Sequence, residues 1–221
     1  MSALAYILDQ KIVVKSHFVF YGGEATAALA IACIDEIKQM YDQAQGIIAH
    51  KGASYPVVFE PSAEVLSPAD AAQKALQNTS TQNNFVRIEA TKPAADPVSA
   101  HRSEMYLNNN AGFFVTTDNL GKSTTVAHEY GHSLGLVHPP PDQRGTGTPG
   151  IMAARGTLVD APFRYGNWQE TGYLGVAPTF RRVLAAEIAL IFMDIDLRQQ
   201  PTEIGVASNF IYTTNGIAEK V

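Results

Sequence analysis

His128-Glu129-Tyr130-Gly131-His132-Ser133-Leu134-Gly135-Leu136-Val137-His138 is the stretch from which the rest of the chain is best read. In an α-helix, residues four apart stand one above the other. His128 and His132 therefore present imidazole nitrogens to one point, with Glu129 beside them. A third histidine reaches that point only if the chain turns back after the helix. Gly135 stands where the turn is needed, since a residue without Cβ enters left-handed backbone without a clash. His138 follows three residues later.

Two histidines four apart with a glutamate between them also occur by chance in helices that hold no metal. With 17 Gly and 6 His in 221 residues, adding Gly at 135 and His at 138 by chance has a probability of about 0.002. This outweighs the bland reading of three histidines on a helix surface and a loop. Zinc in a catalytic site takes three protein ligands and leaves a place for water, whereas structural zinc is closed by four. The expectation is one catalytic Zn2+ on His128, His132 and His138. Glu129 then serves as the base of a metal-assisted hydrolysis, taking a proton from water and passing it to the leaving amine. Met152 lies fourteen positions after His138, in the turn-rich Pro149-Gly150-Ile151-Met152-Ala153. It is expected to form an apolar floor under the ligands, against the plainer role of a core gap filler.

This segment, with Pro139 directly after the third histidine, resembles the active-site helix of metzincin peptidases, and Met152 fits their methionine turn. The resemblance is specific from Val126 to Pro139 and architectural elsewhere. It implies an α+β fold. The upper lobe (1–135) would hold a twisted mixed sheet, two helices and the active-site helix. The lower lobe (136–221) would be mostly irregular, carry the methionine turn and end in a C-terminal helix, the two forming a single catalytic domain with a cleft between them. The chain departs from serralysin-like members in lacking glycine-aspartate calcium repeats, so neither calcium binding nor their secretion route is carried over. It also has Ala154 where serralysins and astacins offer a tyrosine two residues after the methionine; Tyr165 is the candidate to replace that contact. The domain is similar as well to the metallopeptidase toxin domains of type VI secretion spike (VgrG-type) effectors. That likeness implies a delivery protein and a cognate immunity or inhibitor protein as partners.

Composition narrows the partners further. A net charge of −5 with no Lys/Arg run excludes nucleic acid or an anionic membrane as the main partner and leaves a peptide or protein substrate. No apolar run reaches the ~20 residues that span a bilayer. Residues 1–14 lack the basic and apolar regions of a secretory leader, so export is expected to depend on another system, with the cytoplasm as the alternative location. Cys33, the single cysteine, permits no internal disulfide and reads as a buried thiol.

Around the motif, residues 13–21, 55–60 and 85–89 are β-branched and aromatic runs expected as strands. Residues 104–107 and 113–117, across a turn-prone Asn108-Asn109-Asn110-Ala111-Gly112, suggest a hairpin or two linked strands. The second of these is a candidate exposed edge for an extended peptide, or else an internal strand. Apolar residues at three- and four-residue steps predict a helix over 24–45, with Ala27, Ala30, Ile31, Ile34, Ile37, Met40 and Tyr41 on its packed face. A capped helix is expected over 67–76, with Ser123, Thr124 or Thr125 capping the motif helix. A final helix is expected over 179–199, and 91–103 and most of 139–176 should be irregular. His17 in a strand, His50 in a loop and His101 beside Arg102 lack ligand spacing. Two rival functions stand beside the peptidase: a catalytically inactive zinc-binding interaction domain, which the intact Glu129 opposes, and an amidase acting on cell-wall peptides, which motif chemistry leaves open.

Overall fold

The computed structural model describes residues 2–93, 102–164 and 175–221. Its organising element is the long strand β2 (Lys11–Tyr21), preceded by β1 (Ala3–Leu8), which runs back along its first half. Alternation along β2 sends Phe18 and Phe20 into one core and Val19 and Tyr21 into another on the opposite face, as a strand buried on both sides requires. Helix α1 (Ala27–Gln43), hairpin β3 (Ile47–His50) and β4 (Ala53–Val65), helix α2 (Pro68–Leu76) and strand β5 (Asn83–Glu89) follow. β4 lies parallel to β2 on one side. β5 lies parallel to it on the other, beyond the stretch that β1 occupies. β6 (Glu104–Met105) and β7 (Ala111–Val115) complete the path β3-β4-β2-β5-β7-β6 of a mixed sheet.

One face of the sheet carries α1 and α3 (Thr125–Ser133), the histidine helix. The other carries α2 and the small hairpin of β9 (Phe210–Tyr212) and β10 (Ala218–Lys220). Ser67 caps α2 with Pro68 in its first turn, as its sequence predicts. Cys33 is fully buried, and burial pushes its thiol up to about 12.

Several expectations are corrected. The run at 13–21 is not the first strand, since residues 3–8 form one before it, and His50 ends β3 rather than sitting in a loop. On α1, Ile31 is 56% exposed, while Cys33 and Glu36 join the packed face. β7 is internal; the edge beside the motif helix is the two-residue β6. The helix expected over 179–199 is reduced to α4 (Ala185–Ile191), behind a short 3-10 turn at Pro178–Phe180. The apolar spacing is helical, but the backbone is claimed elsewhere: the Arg182 amide bonds the Pro149 carbonyl at 3.0 Å. Glu187 then accepts the amides of Leu184, Ile151 and Met152 at 2.9–3.1 Å, fixing the helix start against the Met152 turn. Tertiary bonds of this kind override helix propensity. Nor does the chain end in a helix. β8 (Thr202–Ile204) returns to pair with β1, and β9 and β10 follow. No helix among the described residues is long and apolar enough to cross a membrane.

Candidate metal centre

α3 is buried along almost its whole length, so its ends need partners supplied from within the protein. Its N-cap, Thr124, is left-handed and makes no side-chain cap bond. The first turn is instead served from α1, where the Glu36 carboxylate accepts the Ala127 amide at 3.0 Å. Burial raises the Glu36 carboxyl, and backbone amides oppose that rise. In mid-helix the Tyr130 hydroxyl meets Ser16 Oγ of β2 at 2.5 Å, and the Tyr41 hydroxyl of α1 donates to the Ala127 carbonyl at 3.2 Å. The helix is thus tied both to the sheet and to α1.

At its C-terminus Gly135 has φ +94. The Leu136 amide bonds the Gly131 carbonyl (2.9 Å) and the Gly135 amide that of His132 (3.0 Å), which is a Schellman stop. This turn does two things. It brings His138 back over the helix, and it places the Leu136 carbonyl 2.9 Å from His132 Nδ1. His128 Nδ1 lies 2.6 Å from the Ile151 carbonyl. With both Nδ1–H groups donating to carbonyls, each Nε2 is left as a lone pair. Those two lone pairs face His138 Nε2 at 3.1 and 3.0 Å. His138 can donate to only one of them, so hydrogen bonding alone does not account for the cluster. A cation does. Nitrogens around a tetrahedral zinc with ~2.0–2.1 Å bonds stand roughly 3.3 Å apart, close to what is seen. Burial holds all three imidazoles below the ordinary histidine range, in the neutral form a ligand needs.

Glu129 borders the same cavity, of about 350 Å³. Its Oε2 accepts the Met105 amide of β6 at 3.0 Å, and burial pushes its carboxyl up to about 8; a divalent ion nearby would draw it back down. Met152 is 2% exposed and packs beneath α3. A Cβ built on Gly131 would collide with Met152 Sδ, so the glycine inside the motif is what admits the methionine. Tyr165 lies outside the described residues, as does His101. His17 bonds Ser62 and Glu64 on β4, away from the cluster.

Three residues here left no signal in the sequence. Besides Glu36, they are Arg181 and Asp118. Arg181, 3% exposed, donates to Thr124 Oγ1 (3.1 Å) and to the Ala153 carbonyl (3.2 Å). Its Nη1 is also 3.0 Å from His128 Nδ1, a contact that competes with the Ile151 carbonyl for the same nitrogen. The shorter 2.6 Å contact decides the tautomer, with Nδ1–H donating to Ile151. Asp118 accepts the Ser103 amide at 2.7 Å and pairs with Arg155. A buried acid or arginine is set by partners distant in sequence, which no periodicity encodes.

Gly135 gives a direct test of the turn. Gly135→Ala would carry a side chain at φ +94 and bring its Cβ to 2.5 Å from Asn108 Oδ1. We expect a stability loss of about 2–3 kcal/mol, a melting temperature lower by roughly 4–10 °C, and weaker zinc binding as His138 shifts. Gly145→Ala, at φ +81 with nothing within 4 Å, meets the backbone strain alone and should lose less, with zinc affinity unchanged. Calorimetry and zinc titration of the two variants check this, and a Gly135→Ala chain indistinguishable from the parent contradicts it.

No family model matches the sequence, and no curated protein matches it. Among solved structures, the chain is similar to archaemetzincin from Methanopyrus kandleri at 12% identity and a TM-score of 0.41. The match covers 81% of this chain and 94% of that one. A likeness at that level says nothing of chemistry.

Proposed function

We propose that this chain is a zinc-dependent peptidase. The observation that carries the reading is the convergence of three Nε2 atoms, those of His128 and His132 standing 3.1 and 3.0 Å from that of His138, in one cavity with Glu129. In this reading His128, His132 and His138 hold the metal. Zinc at such a site supplies Lewis acidity, polarising a carbonyl and acidifying water. The protein does the rest. The Ile151 and Leu136 carbonyls hold the tautomers of His128 and His132. The Met105 amide aims the Glu129 carboxylate into the cavity, where it takes the proton from water and returns it to the leaving amine. β6 is both sheet edge and cavity wall, so an extended peptide can lie along it and donate to its backbone carbonyls, the Met105 amide being held by Glu129. The fit of an open three-ligand site with an adjacent carboxylate favours catalysis over an inert interaction domain. The delivered-toxin role draws on sequence resemblance alone.

Metal analysis of the purified chain, combined with a mixed peptide library read by mass spectrometry, tests the reading. One zinc per chain and cleavage at internal peptide bonds that stops on chelation and returns with zinc are expected. Zinc-loaded protein that cleaves nothing, or a metal-free chain with full activity, overturns it.

A further inference from the structure

Three arginines, Arg102, Arg155 and Arg181, line the cavity that holds the histidines, and they are not equivalent. Arg181 is buried and committed to Thr124 and the Ala153 carbonyl. The Arg155 side chain is 39% exposed, and among the described residues its one hydrogen bond runs from Nη2 to Asp118 Oδ1. A guanidinium has five N–H donors, so most of this one is not used by Asp118. Of the cavity's three acids, Glu129 stands beside the histidines, and the other two are already matched. Asp118, its side chain 3% exposed, also accepts the Ser103 amide. Glu104 faces Lys92 Nζ at 2.5 Å and the Tyr212 hydroxyl at 2.7 Å.

Arg155 has a second exposure. It and Asp118 are the two residues shared between the histidine cavity and a neighbouring cavity of about 480 Å³. The neighbour's remaining charge among the described residues is Arg164, and Pro178 and Phe180 give it an apolar wall. A peptide lying across the histidines can therefore drop a side chain into a pocket bordered by two guanidiniums and one acid, the acid already paired and buried. Releasing Asp118 from Arg155 would leave an uncompensated buried charge, so the pair stays together, and the donors of Arg155 that Asp118 does not use are left for a guest. A carboxylate there makes charge-assisted bonds, an amide weaker ones, and an ammonium meets like charge.

Building on the peptidase reading above, we propose that Arg155 is a specificity-determining residue, selecting peptides that carry an aspartate or glutamate side chain beside the scissile bond, seated in the cavity it shares with Arg164. Hydrogen bonds to a charged group are worth a discrimination of about 10- to 100-fold.

The test uses the zinc-loaded full chain and synthetic peptides differing only by Glu, Gln or Lys at one position, scanned through the residues flanking the cleaved bond. At one such position kcat/KM should run Glu above Gln by about 10- to 100-fold, with Lys lowest. Arg155→Leu should bring the Glu-to-Gln ratio near one. That variant orphans Asp118 and can lose stability, so the double change Asp118→Asn with Arg155→Leu is measured too. It keeps an acceptor for the Ser103 amide, removes the charge, and should show the same loss of preference. Anisotropy with labelled Glu and Gln peptides on Glu129→Gln reads the same preference without turnover. Preferential Glu binding that vanishes with Arg155 upholds the selectivity even if nothing is cleaved, in which case the peptidase reading falls alone. Cleavage with equal rates on Glu, Gln and Lys peptides, or a Glu preference that survives in the double variant, overturns the selectivity and leaves the peptidase reading standing. Neither turnover nor preferential binding overturns both.

Discussion

Glu129→Gln should hold its zinc and its fold while losing nearly all turnover. General-base assistance is typically worth 10²–10⁴-fold. Here one group serves water and leaving amine in turn, so the fall in kcat is expected at or above the upper end of that range. No ligand is removed, because the three nitrogens belong to His128, His132 and His138. Glutamine is preferred to alanine as the test because Oε2 of Glu129 accepts the Met105 amide. Alanine would leave that buried amide unpaired at a cost of about 1–3 kcal/mol, mixing a folding loss into the kinetic one. Glutamine keeps an acceptor and cannot take the proton. Zinc content, melting temperature and turnover on one preparation decide the matter. If the variant binds zinc and cleaves within about twofold of the parent, as a residue with a structural role alone would allow, Glu129 is not the base.

His132→Ala should lose both metal and activity. Its Nε2 is one of three that converge, 3.0 Å from that of His138, and no described histidine, cysteine or acid outside the cluster completes another such group. Zinc bound by protein side chains draws on roughly 10–16 kcal/mol in all, so one ligand's share predicts affinity weaker on the order of 10²–10³-fold, and peptide cleavage at background. The fold should survive, since His132 is half-buried. What goes missing is the Nδ1–H to the Leu136 carbonyl. His50→Ala, on β3 and outside the cavity, is the control and should keep full zinc and full activity. Stoichiometric zinc at parental affinity in His132→Ala removes the basis for the assignment.

Features that rest on short-range geometry are legible in the amino-acid sequence. Two histidines four apart share a helix face in any context, and a glycine where the chain must turn back leaves few ways to continue. The motif helix, its Schellman stop and the return of His138 follow from those two facts. The strand β2, the Ser67-Pro68 helix start and the β6-β7 hairpin, whose second strand begins two residues before its expected start, are legible for the same reason. The methionine of the Pro149–Ala153 turn also stands out in the sequence, although why it fits beneath the helix depends on the missing side chain of Gly131.

Bonds between distant backbone and side-chain groups are a matter of three-dimensional arrangement. The 179–199 segment has good helical spacing, yet the residues before Ala185 stay out of the helix, with the Arg182 amide bonded to Pro149, and Glu187, bonded to the Met152 turn, dictates where α4 begins. Glu36 on α1 could not be recognised as the partner of the α3 N-terminus, because the donor it satisfies is 91 residues away. The Arg181–Thr124 and Asp118–Arg155 contacts join residues 57 and 37 apart. The physical cause is the same in each case. Periodicity records which face of an element is apolar, because that is a property of neighbouring residues. A buried charge or unpaired amide must find its partner wherever the folded chain brings one, and that choice is made in three dimensions.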